Sequence, residues 1–318
     1  MRSKLVLFIT LCLVIPLHVS GNPGGVGNSL ENMQCGGACH GDADQNATSN
    51  LQLSLQPSGT VWVGQPAEIV VQISGLDTSH ALDELGIFLL SSTNANGDIP
   101  TTDGWDILSD GMGGANNYIE YTSVDSAILT HSWILRADEV GEKILYVSVH
   151  HGDNTGTDAG SPFFGVSQAY PFSVEPIPDN LQRLDPEYKP PISRDIGEST
   201  NLCVQTIAAS NVIIEWREPS GLPNQLDTTL VNGCWEAELP ASLVASNIEW
   251  RAILDGEGPQ QTTPWFSLTS AEPSWEADEL ALMLQSIAHV VLFFGLVLLV
   301  RKPRRRNDEF KDYMEENI

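Results

Sequence analysis

The chain has 318 residues, and its 15 Lys and Arg against 41 Asp and Glu give a formal net charge of −26 at pH 7. A surface of this sign repels nucleic-acid phosphates and anionic lipid headgroups, which excludes binding to nucleic acid. The length is enough for more than one domain of ordinary size.

The N-terminus has the pattern of a secretory signal peptide. Two basic residues precede an apolar run from Leu5 to Leu17, and Val19-Ser20-Gly21 supplies the small residues of a cleavage site. We therefore expect residues 1–21 to be removed, and Cys12 with them. The other four cysteines then lie in an oxidising compartment, where disulfides persist.

The run Cys35-Gly36-Gly37-Ala38-Cys39-His40 is close to the Cys-x-x-Cys-His motif that attaches a c-type haem. In this interpretation the thiols of Cys35 and Cys39 bond to the haem vinyl groups, and His40 binds the iron as the proximal ligand. Three residues separate the cysteines instead of two, and all three are small enough for the loop to bulge around the macrocycle edge. The alternative is a structural disulfide between Cys35 and Cys39.

A six-coordinate haem iron needs a second axial ligand. The first choice is His150 or His151, because they end a predicted strand and enter a polar loop, so one of them should point outward. Met112, in the glycine-rich stretch 111–114, is the second choice. The remaining candidates are His80, His131 and Met33, the last too close in sequence to the attachment loop.

Acidic residues spaced by two follow the cysteine motif. Asp42, Asp44 and Asn46 have the oxygen ligands and spacing of a calcium-binding loop, or else form a solvated polar turn. Asn46-Ala47-Thr48 is also an acceptor for N-glycosylation, and a glycan there would crowd a metal. A second set of loop carboxylates offers another cation site: Asp98, Asp103, Asp106, Asp153 and Asp158.

Short apolar or alternating segments separated by Gly- and Asn-rich loops predict a β-rich first domain over residues 22–175. The two largest loops are Asn94–Asp110 and Gly152–Ser161. The predicted strands are Leu51–Leu55, Glu68–Ile73, Leu85–Ser91, Tyr118–Tyr121, Ile128–Leu135, Lys143–His150 and Ala169–Val174.

The order of these segments resembles that of Reeler-like domains in anchored prokaryotic surface proteins. The resemblance rests on the Cys-Cys-His start and on five later segments: Pro57–Gln65, Gly86–Leu90, Tyr118–Thr122, Ser132-Trp133 and Gly141–His150. Members of that family often begin with a haem-type Cys-x-x-Cys-His, from which the spacing here departs. The resemblance implies a β-sandwich on the cell surface.

Prolines over 176–191 predict a linker, and residues 192–270 predict a second β-sandwich of immunoglobulin or fibronectin type. Cys203 and Cys234 lie in two of its strands and predict a disulfide that staples two sheets. The predicted strands are Thr200–Ile207, Val212–Arg217, Gly233–Leu239, Ile248–Leu254 and Trp265–Leu268.

An apolar run from Leu280 to Val300 predicts a single transmembrane helix, since about 20 apolar residues cross a bilayer. Basic residues follow it at once, which places the 301–318 tail in the cytoplasm and the N-terminal ectodomain outside. This is type I, single-pass topology at the cell membrane. His289, inside the run, is expected to pack against a partner helix or its own backbone.

The sequence thus predicts an all-β ectodomain of two β-sandwiches followed by one membrane span. The ectodomain carries 7 basic and 36 acidic residues, about −29. No Gly-x-Ser-x-Gly, His-Glu-x-x-His or phosphate-binding loop appears, which disfavours an enzyme. The leading hypothesis is an anchored haem c protein that transfers electrons to a redox partner. The alternative is a surface recognition or adhesion module in which Cys35 and Cys39 form a disulfide.

Overall fold

The computed structural model describes one helix and most of residues 47–273, which belong to the predicted ectodomain; that name is kept below for residues 22–273. The described residues from Ala47 to Pro273 belong to one compact unit, and the helix belongs to another. The described residues are 47–76, 85–93, 99–121, 124, 126–151, 163–273 and 279–300.

The first half of the ectodomain folds into two facing β-sheets. The seven-stranded sheet contains β1 (Ala47–Thr48), β3 (Val61–Trp62), β5 (Leu85–Leu90), β7 (Tyr118–Tyr121), β9 (Gly141–His151), β10 (Phe163–Val166) and β11 (Tyr170–Glu175). The four-stranded sheet has the order β2 (Gln52–Pro57), β4 (Pro66–Ser74), β8 (Ile128–Ala137) and β6 (Trp105–Ser109). A short 3-10 helix, Pro100–Thr102, precedes β6.

Alternating side chains explain why the two sheets face each other. In β4, Ile69, Val71 and Ile73 are fully buried, while the side chains between them are less buried. Because successive residues of a strand point to opposite faces, one face of β4 enters the core and the other meets solvent. The core between the sheets also takes Leu145, Val147 and Val149 from β9.

β9 is a central strand of the larger sheet, with partners along both edges. One edge pairs with β5 over Tyr146–His151. The other edge pairs with β11 over Gly141–Leu145 and with β10 over Ser148–His151. Its last five residues, 147–151, are all buried, as its nearly continuous apolar sequence indicates.

The second half forms another β-sandwich around a core of its own, which includes Trp250 and Phe266. The six-stranded sheet contains β13 (Ser193–Asp195), β16 (Ala209–Arg217), β17 (Asn224–Asp227), β20 (Ser246–Gly256), β21 (Gln261–Thr262) and β22 (Phe266–Ala271). The remaining strands are β14 (Thr200–Val204), β18 (Thr229–Val231) and β19 (Cys234–Leu239), which form one sheet, and β12 (Arg183–Leu184) with β15 (Thr206–Ile207).

The β-sandwich architecture predicted for the ectodomain is confirmed, with differences at short strands. Thr200–Ile207, predicted as one strand, is divided into β14 and β15, which pair with different partners. β6 lies in a stretch predicted to be a loop. It is a short strand whose pairing with β8 shifts register between Ile107 and Ser109, so its sequence shows no clean alternation.

The Cys203–Cys234 disulfide is confirmed, with a Cα–Cα distance of 5.3 Å. The prediction that it joins two sheets is wrong. β14 and β19 are antiparallel neighbours in one sheet, with Cys203 opposite Glu236. The bond therefore links two adjacent strands that are already hydrogen-bonded to each other.

Buried contacts join the two sandwiches. The side-chain amide of Gln65 accepts a hydrogen bond from the Leu184 amide (3.0 Å) and donates one to the Leu184 carbonyl (3.1 Å). Leu108 and Ile134, from β6 and β8, pack into the core of the second sandwich. The segment predicted as a linker is thus packed where it crosses between the sandwiches, with Leu184 buried.

The second unit contains helix α1, Glu279–Val300. His289 Nδ1 lies 2.8 Å from the carbonyl oxygen of Gln285, one turn earlier, so its imidazole is bound to its own helix backbone. Within the part of the chain that the structure describes, no helix combines the length and apolarity needed to cross a membrane.

Replacing both cysteines of the disulfide, Cys203→Ser with Cys234→Ser, should lower the free energy of unfolding of the 22–273 ectodomain by about 3–4 kcal/mol, because the bond closes a loop with a sequence separation of 31. Urea denaturation measures this loss. Equal midpoints for the variant and the oxidised wild type would contradict it.

Gln65→Ala should destabilise the same ectodomain by roughly 2–3 kcal/mol, because it leaves the amide and carbonyl of Leu184 buried without their partner. Gln56→Ala, at an exposed position of β2, is the matched control and should change stability little. The measurement is again the denaturation midpoint, and equal effects of the two variants would refute the bridging role of Gln65.

Candidate functional site

The last two residues of β9 and their neighbours form the candidate site, here called the histidine end of β9. It consists of His150 and His151, of Phe163 and Phe164 on β10, and of Ser49, which follows β1. The strand pairings place these residues together: Phe163 lies opposite His151, and Phe164 lies opposite His150.

Each imidazole packs against an aromatic ring. The His151 ring stacks on Phe163, with centroids 5.1 Å apart and planes at 7°, and its Nε2 lies 2.9 Å from Ser49 Oγ. The His150 ring meets Phe164 edge-on at 6.3 Å. The site therefore offers imidazole nitrogens beside flat apolar surfaces.

The prediction that one histidine points outward is wrong. His150 is 1% exposed and His151 is 7% exposed. Sequence placed them at a strand end entering a polar loop, but β5 and β10 both extend as far as His151 along the two edges of β9. Neither ring is a solvated surface side chain.

The two histidines point to opposite faces of the sheet. His151 follows the alternation of Leu145, Val147 and Val149, which fill the core between the sheets. His150 follows Tyr146 and Ser148 on the other face. A small aromatic cluster covers part of that face; its buried members are Phe88, Leu90 and Tyr118. Only His150 therefore shares a face with residues outside the main core.

The pairing of β1 brings the N-terminal chain to this site. Ala47 and Thr48 pair in parallel with Phe163 and Phe164. His40 precedes Ala47 by seven residues, and seven residues span at most about 25 Å. The described chain therefore begins beside the histidine end of β9, seven residues after His40.

Cys35, Cys39 and His40 themselves lie outside the described residues, as do Met33 and His80. The same holds for the calcium candidates Asp42, Asp44 and Asn46, and for Asp98, Asp153 and Asp158. Haem attachment and the Asp42 loop therefore stay predictions.

His131, another candidate ligand, is engaged on both ring nitrogens. Its Nε2 lies 2.7 Å from the carbonyl oxygen of Asp110, which only accepts, so Nε2 carries the hydrogen. In the neutral ring Nδ1 then accepts from Tyr121 Oη, at 2.9 Å. Burial lowers the pKa of His131 to about 4, against a smaller opposing effect of its bond to Asp110, so the ring is neutral at pH 7.

Met112, the second-choice ligand, sits on a loop organised by Asp110. The buried Asp110 carboxylate accepts hydrogen bonds from the backbone amides of Met112 and Gly114, each at 2.9 Å, and from that of Asn116 at 3.2 Å. Met112 itself is 47% exposed. Met112 is therefore an exposed residue on a loop that the Asp110 carboxylate holds through hydrogen bonds.

Two of the predicted loop carboxylates have protein partners. Asp103 accepts a hydrogen bond from Ser91, and Asp106 forms an ion pair with Arg136. Among the described residues, no group of three or more His, Cys, Asp or Glu side chains is arranged to hold a metal ion.

A separate charged cluster lies on the second sandwich. The guanidinium groups of Arg217 and Arg251 lie 4.0 and 4.3 Å from the ring centroid of Trp265. Arg217 pairs with Glu249, and Arg251 pairs with Glu215. A hydrogen bond from Gln225, followed by the bond and charge of Arg251, lowers the pKa of Glu215. Each arginine pairs with one glutamate, so the cluster has no excess charge and we interpret it as stabilising the fold.

Sequence analysis did not single out Ser49, Phe163, Phe164 or Tyr121. The first three reach the site through pairing of β1, β9 and β10, and β1 lies about a hundred residues before the other two strands. The only signal available was the Phe-Phe pair that follows the long Gly- and Asp-rich loop.

Comparisons with known proteins show low similarity. No family model matches the chain, and no curated protein matches it. Similar solved structures include a cohesin module from a Clostridium perfringens family 33 glycoside hydrolase, with 9% identity and a TM-score of 0.29 over 41% of this chain and 100% of that one. Dimeric latent PorU from Porphyromonas gingivalis has 10% identity and a TM-score of 0.28 over 70% of this chain and 20% of that one. The N-terminal Ig1-2 module of the Drosophila receptor protein tyrosine phosphatase DLAR has 9% identity and a TM-score of 0.24 over 70% of this chain and 100% of that one.

The low pKa of His131 predicts acid sensitivity. Because its pKa is about 4 in the folded state against about 6.5 when unfolded, the unfolded chain binds the extra proton between these values. Stability should be complete above pH 6.5 and fall toward pH 4, by on the order of 3 kcal/mol. Urea denaturation of the ectodomain across this range measures the loss.

His131→Gln should flatten this pH dependence, because it removes the titrating ring. Tyr121→Phe is the control: it removes a hydrogen bond to the ring but keeps the imidazole buried, so the dependence should persist. Equal slopes for wild type and His131→Gln would contradict the assignment.

Proposed function

We propose that this protein is a membrane-anchored c-type haem protein that transfers electrons at the cell surface. When bound, haem supplies one-electron redox chemistry. The Reeler-like resemblance of residues 22–175 supports this proposal, because members of that family often begin with a haem-attachment motif.

One observation carries the proposal. β1 pairs with β10, so the chain that follows Cys35, Cys39 and His40 by a few residues is fixed beside His150 and His151. A haem attached to Cys35 and Cys39 needs apolar side chains against its ring and a second axial ligand for its iron. The histidine end of β9 offers imidazoles and aromatic rings there.

The proposed roles follow from the chemistry of each side chain. Cys35 and Cys39 would hold the haem through thioether bonds, and His40 would bind the iron. We assign the second axial position to His150, because its face of the sheet lies outside the main core. His151 faces that core, where Ser49 holds its Nε2.

The anchor is proposed from the sequence of 280–300. Its 21 residues are apolar apart from Gln285, Ser286 and His289, and five of the six residues that follow are basic. Large apolar side chains are exposed along helix α1, among them Met283, Ile287 and Phe294. A helix that is apolar along its exposed sides suits a lipid environment.

The competing function is a surface recognition module in which Cys35 and Cys39 form a disulfide. The β-sandwich architecture suits such a module as well as it suits a haem protein. The two functions differ in the state of the cysteines, which is directly measurable.

The test is a peroxidase haem stain with reduced and oxidised absorption spectra on the 22–273 ectodomain, co-expressed with c-type cytochrome maturation machinery. We expect covalent haem that survives denaturation and is absent from the Cys35→Ser, Cys39→Ser variant. His150→Ala should keep the haem but convert a low-spin spectrum to a high-spin one.

His151→Ala is the matched control, because it removes the neighbouring imidazole on the other face and should leave the low-spin spectrum intact. A colourless protein whose intact mass shows Cys35 joined to Cys39 would refute the haem proposal and support the recognition module.

A further inference from the structure

Three loops of the second sandwich meet at the end where β22 finishes. β16 ends at Arg217 and β20 begins at Ser246, and these antiparallel strands place the 218–223 and 240–245 loops at one end of the sheet. Ser270 of β22 lies opposite Ser246, so β22 also finishes there. The 196–199 loop joins them, since the Gly197 amide donates to the Ser242 carbonyl at 2.7 Å.

The tips of two of these loops expose large apolar side chains. Leu222 is 88% exposed, Leu243 is 85% exposed and Val244 is 66% exposed. A single exposed leucine is ordinary on a protein surface. Here three lie at one end, and residues 219–223 and 240–245 contain no charged side chain, in an ectodomain whose surface is strongly acidic.

Hydrogen bonds hold the 240–245 loop in this shape. Ser242 Oγ donates to the Val244 carbonyl at 2.8 Å and accepts from Ser246 Oγ at 2.6 Å. Because both bonds anchor the base of the loop, Leu243 and Val244 project from it. The other loop begins with a tight turn, in which the Gly221 amide donates to the Glu218 carbonyl at 2.8 Å.

The chain leaves the sandwich toward the proposed membrane span at this same end. β22 ends at Ala271, and the apolar run begins at Leu280. Nine residues reach at most about 30 Å. The end that carries Leu222, Leu243 and Val244 is therefore the end at which the chain leaves the second sandwich, nine residues before the proposed span.

We propose that Leu222, Leu243 and Val244 insert into the outer leaflet and seat the second sandwich on the membrane. This inference rests on the membrane span of the proposed function and extends it to a lipid-binding surface of the ectodomain. Apolar side chains at such a surface enter the headgroup region by about 5–10 Å. The ligand is a zwitterionic phospholipid interface, since an anionic one would repel the acidic chain.

The physical consequence is a fixed orientation of the ectodomain. A single covalent connection would leave the second sandwich free to tilt. Two inserted loops would restrict that tilt. The first sandwich is joined to the second through the hydrogen bonds of Gln65 to Leu184 and of Arg136 to the Tyr188 carbonyl.

The test uses the full chain reconstituted in phosphatidylcholine vesicles, with a diazirine-bearing phenylalanine analogue placed singly at position 222, 243 or 230. Leu230 is the matched control, because it is an exposed leucine (56%) of the same sandwich. Leu230 is on β18 and pairs with Trp235 on β19. Trp235 is roughly 15 Å from the 240–245 loop, measured along β19. After illumination, mass spectrometry measures the fraction of protein carrying lipid.

We expect lipid adducts at 222 and 243 at a level several-fold above that at 230. Equal levels at the three positions, or adducts to a second protein copy in place of lipid, would overturn the inference. Vesicle flotation after an alkaline carbonate wash tests the proposed membrane span separately from the insertion of the loops. A chain that floats without enriched adducts refutes only the loop insertion, and a chain that does not float refutes the membrane span as well.

Discussion

Backbone pairing along β9 is the constraint on which the first sandwich depends. β9 bonds to β5 on one edge and to β10 and β11 on the other, so three strands are registered against one. β10 in turn pairs with β1. The position of the N-terminal chain beside His150 and His151 is therefore a consequence of sheet pairing.

Burial decides what the polar groups of this sandwich can do. His131 and Asp110 are enclosed, and each is satisfied by hydrogen bonds that fix a loop or a ring. A histidine held in this way is neutral and has no free nitrogen to offer a metal. His150 and His151 are equally buried, but they lie where a strand ends and where the chain from the cysteine motif arrives.

The acidic surface and the apolar loop tips differ in their interaction with water. Dispersed carboxylates keep the protein surface solvated and repel anionic partners. The charge-free tips at Leu222 and Leu243 depart from that pattern at the end where the chain leaves the sandwich. Buried hydrogen bonds between the sandwiches, such as those of Gln65 with Leu184, fix the position of one sandwich relative to the other.

The sequence by itself determined the strand content, the two sandwiches and the Cys203–Cys234 pair, because hydrophobic alternation and cysteine usage are local signals. It also singled out His150, His151 and Met112. Only the tertiary structure decided that both histidines are buried, that His131 is bound on both nitrogens and that the disulfide lies within one sheet. These properties depend on which strands become neighbours. Pairing joins residues more than a hundred positions apart, such as Ser49 and His151, and no local pattern encodes that choice.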